Sequence, residues 1–108
     1  MIEAAIPVNE QQRLAALKSM QLLDTPPDPH IDALLRIAQR LFGVGSVLIS
    51  LIDAQRQWFK GRIGANNLEG PRSTSFCGHT ILSDEILYVQ DALRDERFSD
   101  NPVVTGYP

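Results

Sequence analysis

Ser46-Val47-Leu48-Ile49-Ser50-Leu51-Ile52-Asp53 is a nearly continuous apolar run, preceded by Gly45 and closed by an aspartate. It is too short for a typical buried helix and partly β-branched, which describes a strand buried on both faces. Ala54-Gln55-Arg56 makes a tight turn into Gln57-Trp58-Phe59-Lys60-Gly61-Arg62-Ile63, so a hairpin is expected. Strict alternation in the second strand puts Trp58, Lys60 and Arg62 on one face and Phe59, Gly61 and Ile63 on the other.

Upstream, the pattern changes to helical spacing. Asp28 is a natural N-cap and Pro29 suits the first turn, where its missing N–H costs nothing. Ile31, Leu34, Leu35, Ala38, Leu41 and Phe42 then follow the i, i+3, i+4, i+7 rule until Gly43, which predicts a helix over residues 29–42 with one apolar face. An earlier helix over residues 9–23 is expected from Asn9 as cap, Gln12 three residues on, and the recurrence of Leu14, Leu17 and Met20. Asp24-Thr25-Pro26-Pro27 ends it.

Downstream, residues 64–72 read as a loop. Ser73, Thr74 or Ser75 caps a short helix running to about Leu82, and Ile86-Leu87-Tyr88-Val89 reads as a third strand. Helices covering a largely antiparallel sheet make the fold class α+β. The whole chain, residues 1–108, reads as one small domain.

Ser75-Phe76-Cys77-Gly78-His79-Thr80-Ile81 holds the single cysteine two residues from a histidine. A nucleophilic thiol needs the imidazole within reach to form the thiolate. On a regular helix, positions i and i+2 are about 200° apart and point to opposite sides; in an extended segment they share a face. The plainer reading makes Cys77 a small packed hydrophobe and His79 a cap or pocket wall. With one cysteine and His30 far from His79 in sequence, nothing in the spacing resembles a zinc site, so no metal is expected. Trp58, Lys60 and Arg62, with Arg56 and Arg72 nearby, have the composition of an anion-binding patch, but equally that of an edge strand charged against aggregation. The acidic group Asp84, Glu85, Asp91, Asp95, Glu96 and Asp100 reads as a solvated face.

Composition narrows the classes further. A net charge of −3 gives no general attraction for nucleic acid. No apolar run approaches the roughly 20 residues that cross a bilayer, and residues 1–5 lack the features of a secretory signal. One cysteine fits a reducing cytoplasm, the expected location.

Several segments together resemble a GAF domain, of the N-terminal type found ahead of GGDEF diguanylate cyclase or histidine kinase modules. They are Asn9-Glu10 with Arg13-Leu14, Leu22 to Pro27, Ala38 to Gly43, Val47 to Asp53, Gln57 to Lys60, Ser75 to Ile81, and Asp91 to Gly106. The resemblance implies a six-stranded or similar antiparallel sheet, helices packed on one face, and a small-molecule pocket on the other. It also implies a chain truncated at its C-terminus, with an incomplete sheet. The pocket candidates are Ser50, Trp58, Phe76, Cys77, His79, Tyr88 and Phe98. The implied role is a non-enzymatic sensory module that binds a small ligand, or forms a homodimer, to control an output domain. No cofactor is expected. Members that attach a bilin place histidine directly after the cysteine, where Gly78 stands here, and members that reduce methionine sulfoxide use more than one cysteine. The alternatives are a thiol redox sensor or enzyme built on Cys77, and a ligand-free dimerisation scaffold.

Overall fold

The computed structural model describes residues 2–106. Helix α1 (Glu10–Ser19) and helix α2 (Pro29–Phe42) precede strands β1 (Val47–Ile52), β2 (Arg56–Ile63) and β3 (Glu69–Pro71). A 3-10 turn at Arg72–Thr74, the short helix α3 (Cys77–Thr80), a second 3-10 turn at Ala92–Arg94 and the short helix α4 (Pro102–Thr105) follow. The strands form one antiparallel sheet in the order β1-β2-β3, with α2 against β1 and β2. The class is α+β, as the pattern of residues predicts.

Helix α2 has the predicted bounds because both its ends are chemically specified. The Asp28 carboxylate accepts the His30 amide at 2.8 Å, Pro29 opens the first turn, and Gly43 closes the helix at a φ of 62°. Helix α1 is shorter than expected. Asn9 makes no side-chain cap, and the helix stops at Ser19 because Gln21 and Asp24 take left-handed backbone angles (φ 54° and 60°). Arg56 holds Asp24 in that conformation, donating to both carboxylate oxygens at 2.8 and 2.7 Å.

The expected apolar face of α2 is only partly buried. Leu35 is 4 % exposed, whereas Leu34, Leu41 and Phe42 are 62, 75 and 72 % exposed. Contact with the sheet selects the side of the helix facing Gly61, where a Cβ would lie 2.6 Å from Leu35 Cδ1 and 3.1 Å from Ile31 Cγ2. Glycine is thus what lets α2 approach β2 so closely.

A bulge corrects the alternation read from β2. The register passes from Ile49↔Gly61 to Ser50↔Phe59, leaving Lys60 without a partner on β1. Trp58 pairs with Leu51 and Gly61 with Ile49, so Trp58 shares the α2 side with Gly61 and Ile63. Phe59 and Arg62 lie on the opposite face with Ser50 and Leu48. Nor is β2 an edge strand, since β3 pairs along it from Arg56↔Pro71 to Trp58↔Glu69.

Two further expectations fail. Residues 69–71, read as loop, form β3, while residues 86–89, read as a strand, have no regular structure and leave Ile86 and Tyr88 94 and 78 % exposed. β3 pairs with β2 over residues 56–58, and at the end of β1 the Ile52 carbonyl accepts Arg13 Nη1 at 2.5 Å. Among the described residues no helix is long and apolar enough to cross a membrane.

The close α2–β2 contact gives a direct test. Gly61→Val should lower the unfolding free energy by about 1–3 kcal/mol in a urea titration, since the added side chain drives into Leu35 and Ile31 and forces them to shift. A loss below about 0.5 kcal/mol would show that the helix does not sit there.

Candidate functional site

The site begins at Arg72, a buried cation directly after β3. Its guanidinium donates to Glu10 at 2.5 Å and to the carbonyls of Asp53 and Ala54 at 3.2 and 3.3 Å. Glu10 also accepts Arg13 Nε at 2.7 Å. The Arg72 guanidinium above all, with Arg13, holds the Glu10 carboxyl below its usual range. This network fixes the start of α1, the end of β1 and the approach to α3 in one place.

Three residues on, Ser75 sets α3. Its buried hydroxyl donates to the Arg72 carbonyl at 2.8 Å and accepts the Gly78 amide at 3.0 Å, which is the bonding of an N-cap. Of the three cap candidates in the sequence, Ser75 is the one that serves. Phe76 and Cys77 are thereby placed at the head of the helix.

The partner of Phe76 arrives from the C-terminal segment. Phe98 is 0 % exposed and stacks on Phe76 with ring centres 4.0 Å apart at 13°. His79 meets Phe98 edge-on at 5.0 Å, and the Arg97 guanidinium carbon lies 5.1 Å from the ring centre. Two polar residues hold this segment. Asp95 accepts the Arg97 amide and Nε at 2.9 Å and Nη2 at 2.6 Å, bracing the turn. Asn101 caps α4 through the Val103 amide, and its Nδ2 donates to the Thr74 carbonyl at 2.9 Å, beside the cap of α3. Asn101 is 2 % exposed, so both bonds are made out of water. Asparagine before proline at residues 101 and 102 carried that signal in the sequence; Arg72, Glu10 and Ile2 carried none.

The structure thus brings Phe76, His79 and Phe98 together. Cys77 is half-buried with a free thiol. On helix α3 it stands two positions from His79, whose Nε2 instead meets the Ile2 carbonyl at 2.9 Å. Ser50 lies on the sheet face opposite α2, where its hydroxyl accepts Gln57 Nε2 at 3.0 Å, whereas Trp58 is buried on the α2 side. Tyr88 is exposed on the irregular segment. None of these candidates lines either of two open surface depressions among the described residues, of about 490 and 520 Å³, at residues 90–95 and between residues 6–9 and 81–84.

The cationic group is largely engaged within the fold. Lys60 is buried and donates to Thr25 Oγ1 and the Pro26 carbonyl, both at 2.7 Å. Arg56 serves Asp24, Asp53 and Glu69, and Arg72 serves Glu10. Among the described residues, no group of three or more His, Cys, Asp or Glu side chains is gathered to hold a metal ion.

Comparison with known proteins agrees with this architecture. A family profile described as GAF domain matches residues 26–107. A cyclic di-GMP phosphodiesterase of Pseudomonas aeruginosa is 39 % identical over 102 residues, covering 94 % of this chain and 17 % of the relative. The relative's name is that of a phosphodiesterase, where the sequence resemblance pointed to a diguanylate cyclase or histidine kinase.

The brace under Phe98 is sensitive to acid. The Arg97 side chain and then its amide hold the Asp95 carboxyl at about 2, below its ordinary value of 3.8. A depressed carboxyl stabilises the fold above its unfolded value and ceases to as the pH falls through its folded value. The stability advantage of wild type over Asp95→Asn should therefore be full above about pH 4 and vanish toward pH 2. Chemical denaturation of both proteins across that window measures it, and a difference constant with pH would refute the brace.

Proposed function

Because this chain belongs to the GAF domain family, we propose that it is a regulatory module of a signal-transduction protein, governing an output domain that turns over cyclic di-GMP. Catalysis resides in that output domain and not in these residues. The observation that carries the reading is the relative: 94 % of this chain aligns with only 17 % of a protein named for cyclic di-GMP hydrolysis. A module of that share supports a controlling rather than a catalytic part.

The sensing element of this reading is the aromatic cluster of Phe76, His79 and Phe98, a place where a small molecule acts by favouring one of two conformations. The cytoplasm suits a chain with one unpaired cysteine. A ligand-free homodimer scaffold is the second reading, favoured by Phe98, which is stacked on Phe76 and wholly buried by side chains. The exposed Leu34, Ile37 and Leu41 on α2 suit a partner helix in such a scaffold.

The test uses the full-length protein that carries this module. Cyclic di-GMP turnover should change at least about threefold when Phe98→Ala is introduced, while the isolated chain shows no turnover. Hydrolysis of cyclic di-GMP by the isolated chain, or full-length activity indifferent to the substitution in a folded protein, would overturn the proposal.

A further inference from the structure

Residues 2–8 form no helix or strand, yet they are fastened at their far end. The Ile2 amide donates to the Arg97 carbonyl at 3.2 Å, and the Ile2 carbonyl meets His79 Nε2 at 2.9 Å. Arg97 and His79 both lie against the Phe98 ring, as does Phe76. Farther along, Ala4 rests over α3: a Cβ on Gly78 would lie 3.5 Å from the Ala4 Cβ. The segment then parts from the body, leaving the open groove between residues 6–9 and 81–84, with Ile6 and Val8 facing solvent. It ends at α1, whose Glu10 grips Arg72 and Arg13.

A segment with few buried apolar contacts and a handful of hydrogen bonds opens far more readily than the sheet beneath it. We propose that residues 2–8 are a strap, latched over α3 by His79 and Arg97, whose release carries a change at the Phe98 cluster to the first turn of α1. His79 is the shared element. Its nitrogen holds Ile2 while its ring edge lies on Phe98, so a group that displaces the ring or competes for the nitrogen undoes the latch. The sensing role of the strap rests on reading this cluster as the module's sensing element; the existence of the strap does not.

Two variants test it by amide hydrogen exchange of the whole chain, without any ligand. His79→Phe keeps an aromatic edge against Phe98 and removes the latching nitrogen. It should speed exchange of the Ile2 amide about tenfold, and also that of the Arg13 amide, bonded to the Asn9 carbonyl at 2.9 Å, leaving β1 and β2 unchanged. The second variant combines Ala4→Cys and Gly78→Cys with Cys77→Ser. The 3.5 Å Cβ separation lies within disulfide range, so oxidation should cross-link the folded chain and slow exchange across residues 2–8 and at Arg13 relative to the reduced form. An Ile2 amide exchanging at the unstructured rate in wild type, no response to His79→Phe, or thiols that stay unpaired on oxidation would overturn the strap. An Arg13 amide indifferent to both variants would overturn its link to α1. Because no ligand enters, these failures are separable from a failure of the full-length activity assay.

Discussion

The ion pair between Glu10 and Arg72 is the constraint on which the rest of the structure depends. Arg72 is buried, and a buried guanidinium is tolerated only where charge and hydrogen bonds replace water. Glu10 supplies the charge, and the carbonyls of Asp53 and Ala54 supply further acceptors. The same carboxylate takes Arg13, which reaches on to the last carbonyl of β1. Helix α1, which buries only Leu17 fully, is thereby tied to the hairpin by polar bonds more than by apolar contact. Arg72 in turn receives Ser75, Ser75 caps α3, and α3 presents Phe76 to Phe98. Each step in that series is positioned by the one before it.

What the sequence revealed and what it concealed follow from the range of the interactions. Helix α2 was legible end to end because Asp28, Pro29 and Gly43 act within a few residues of themselves. The hairpin was legible because an apolar run and a tight turn are local. The bulge at Lys60 was not: it depends on how two strands register, and it moved Trp58 to the side of α2. Residues 86–89 have strand-like side chains but join no strand of the sheet, so local propensity alone did not decide their structure. In the site, Cys77 and His79 both lie on helix α3, while the pairing of Asn101 with Thr74 spans 27 residues and leaves no periodic trace.

The cluster around Phe98 is the most densely supported part of the C-terminal half. The C-terminal segment is shaped by Asp95, Arg97 and Asn101 so that one ring is driven fully inside against Phe76. Two aromatic rings and an imidazole are gathered there on polar supports. The neighbouring Cys77 thiol is free and half-buried, while the His79 ring meets Phe98 and its Nε2 meets the Ile2 carbonyl.

A double-mutant cycle on Glu10→Gln and Arg72→Met, read by urea denaturation, tests the account most directly. If the pair organises the fold, each single change is strongly destabilising and the two are coupled by more than about 1 kcal/mol. Removing Glu10 leaves the buried Arg72 charge uncompensated, and removing Arg72 leaves Glu10 with Arg13 alone. Effects that add to within about 0.5 kcal/mol would contradict the account, leaving α1 and the approach to α3 held independently of each other.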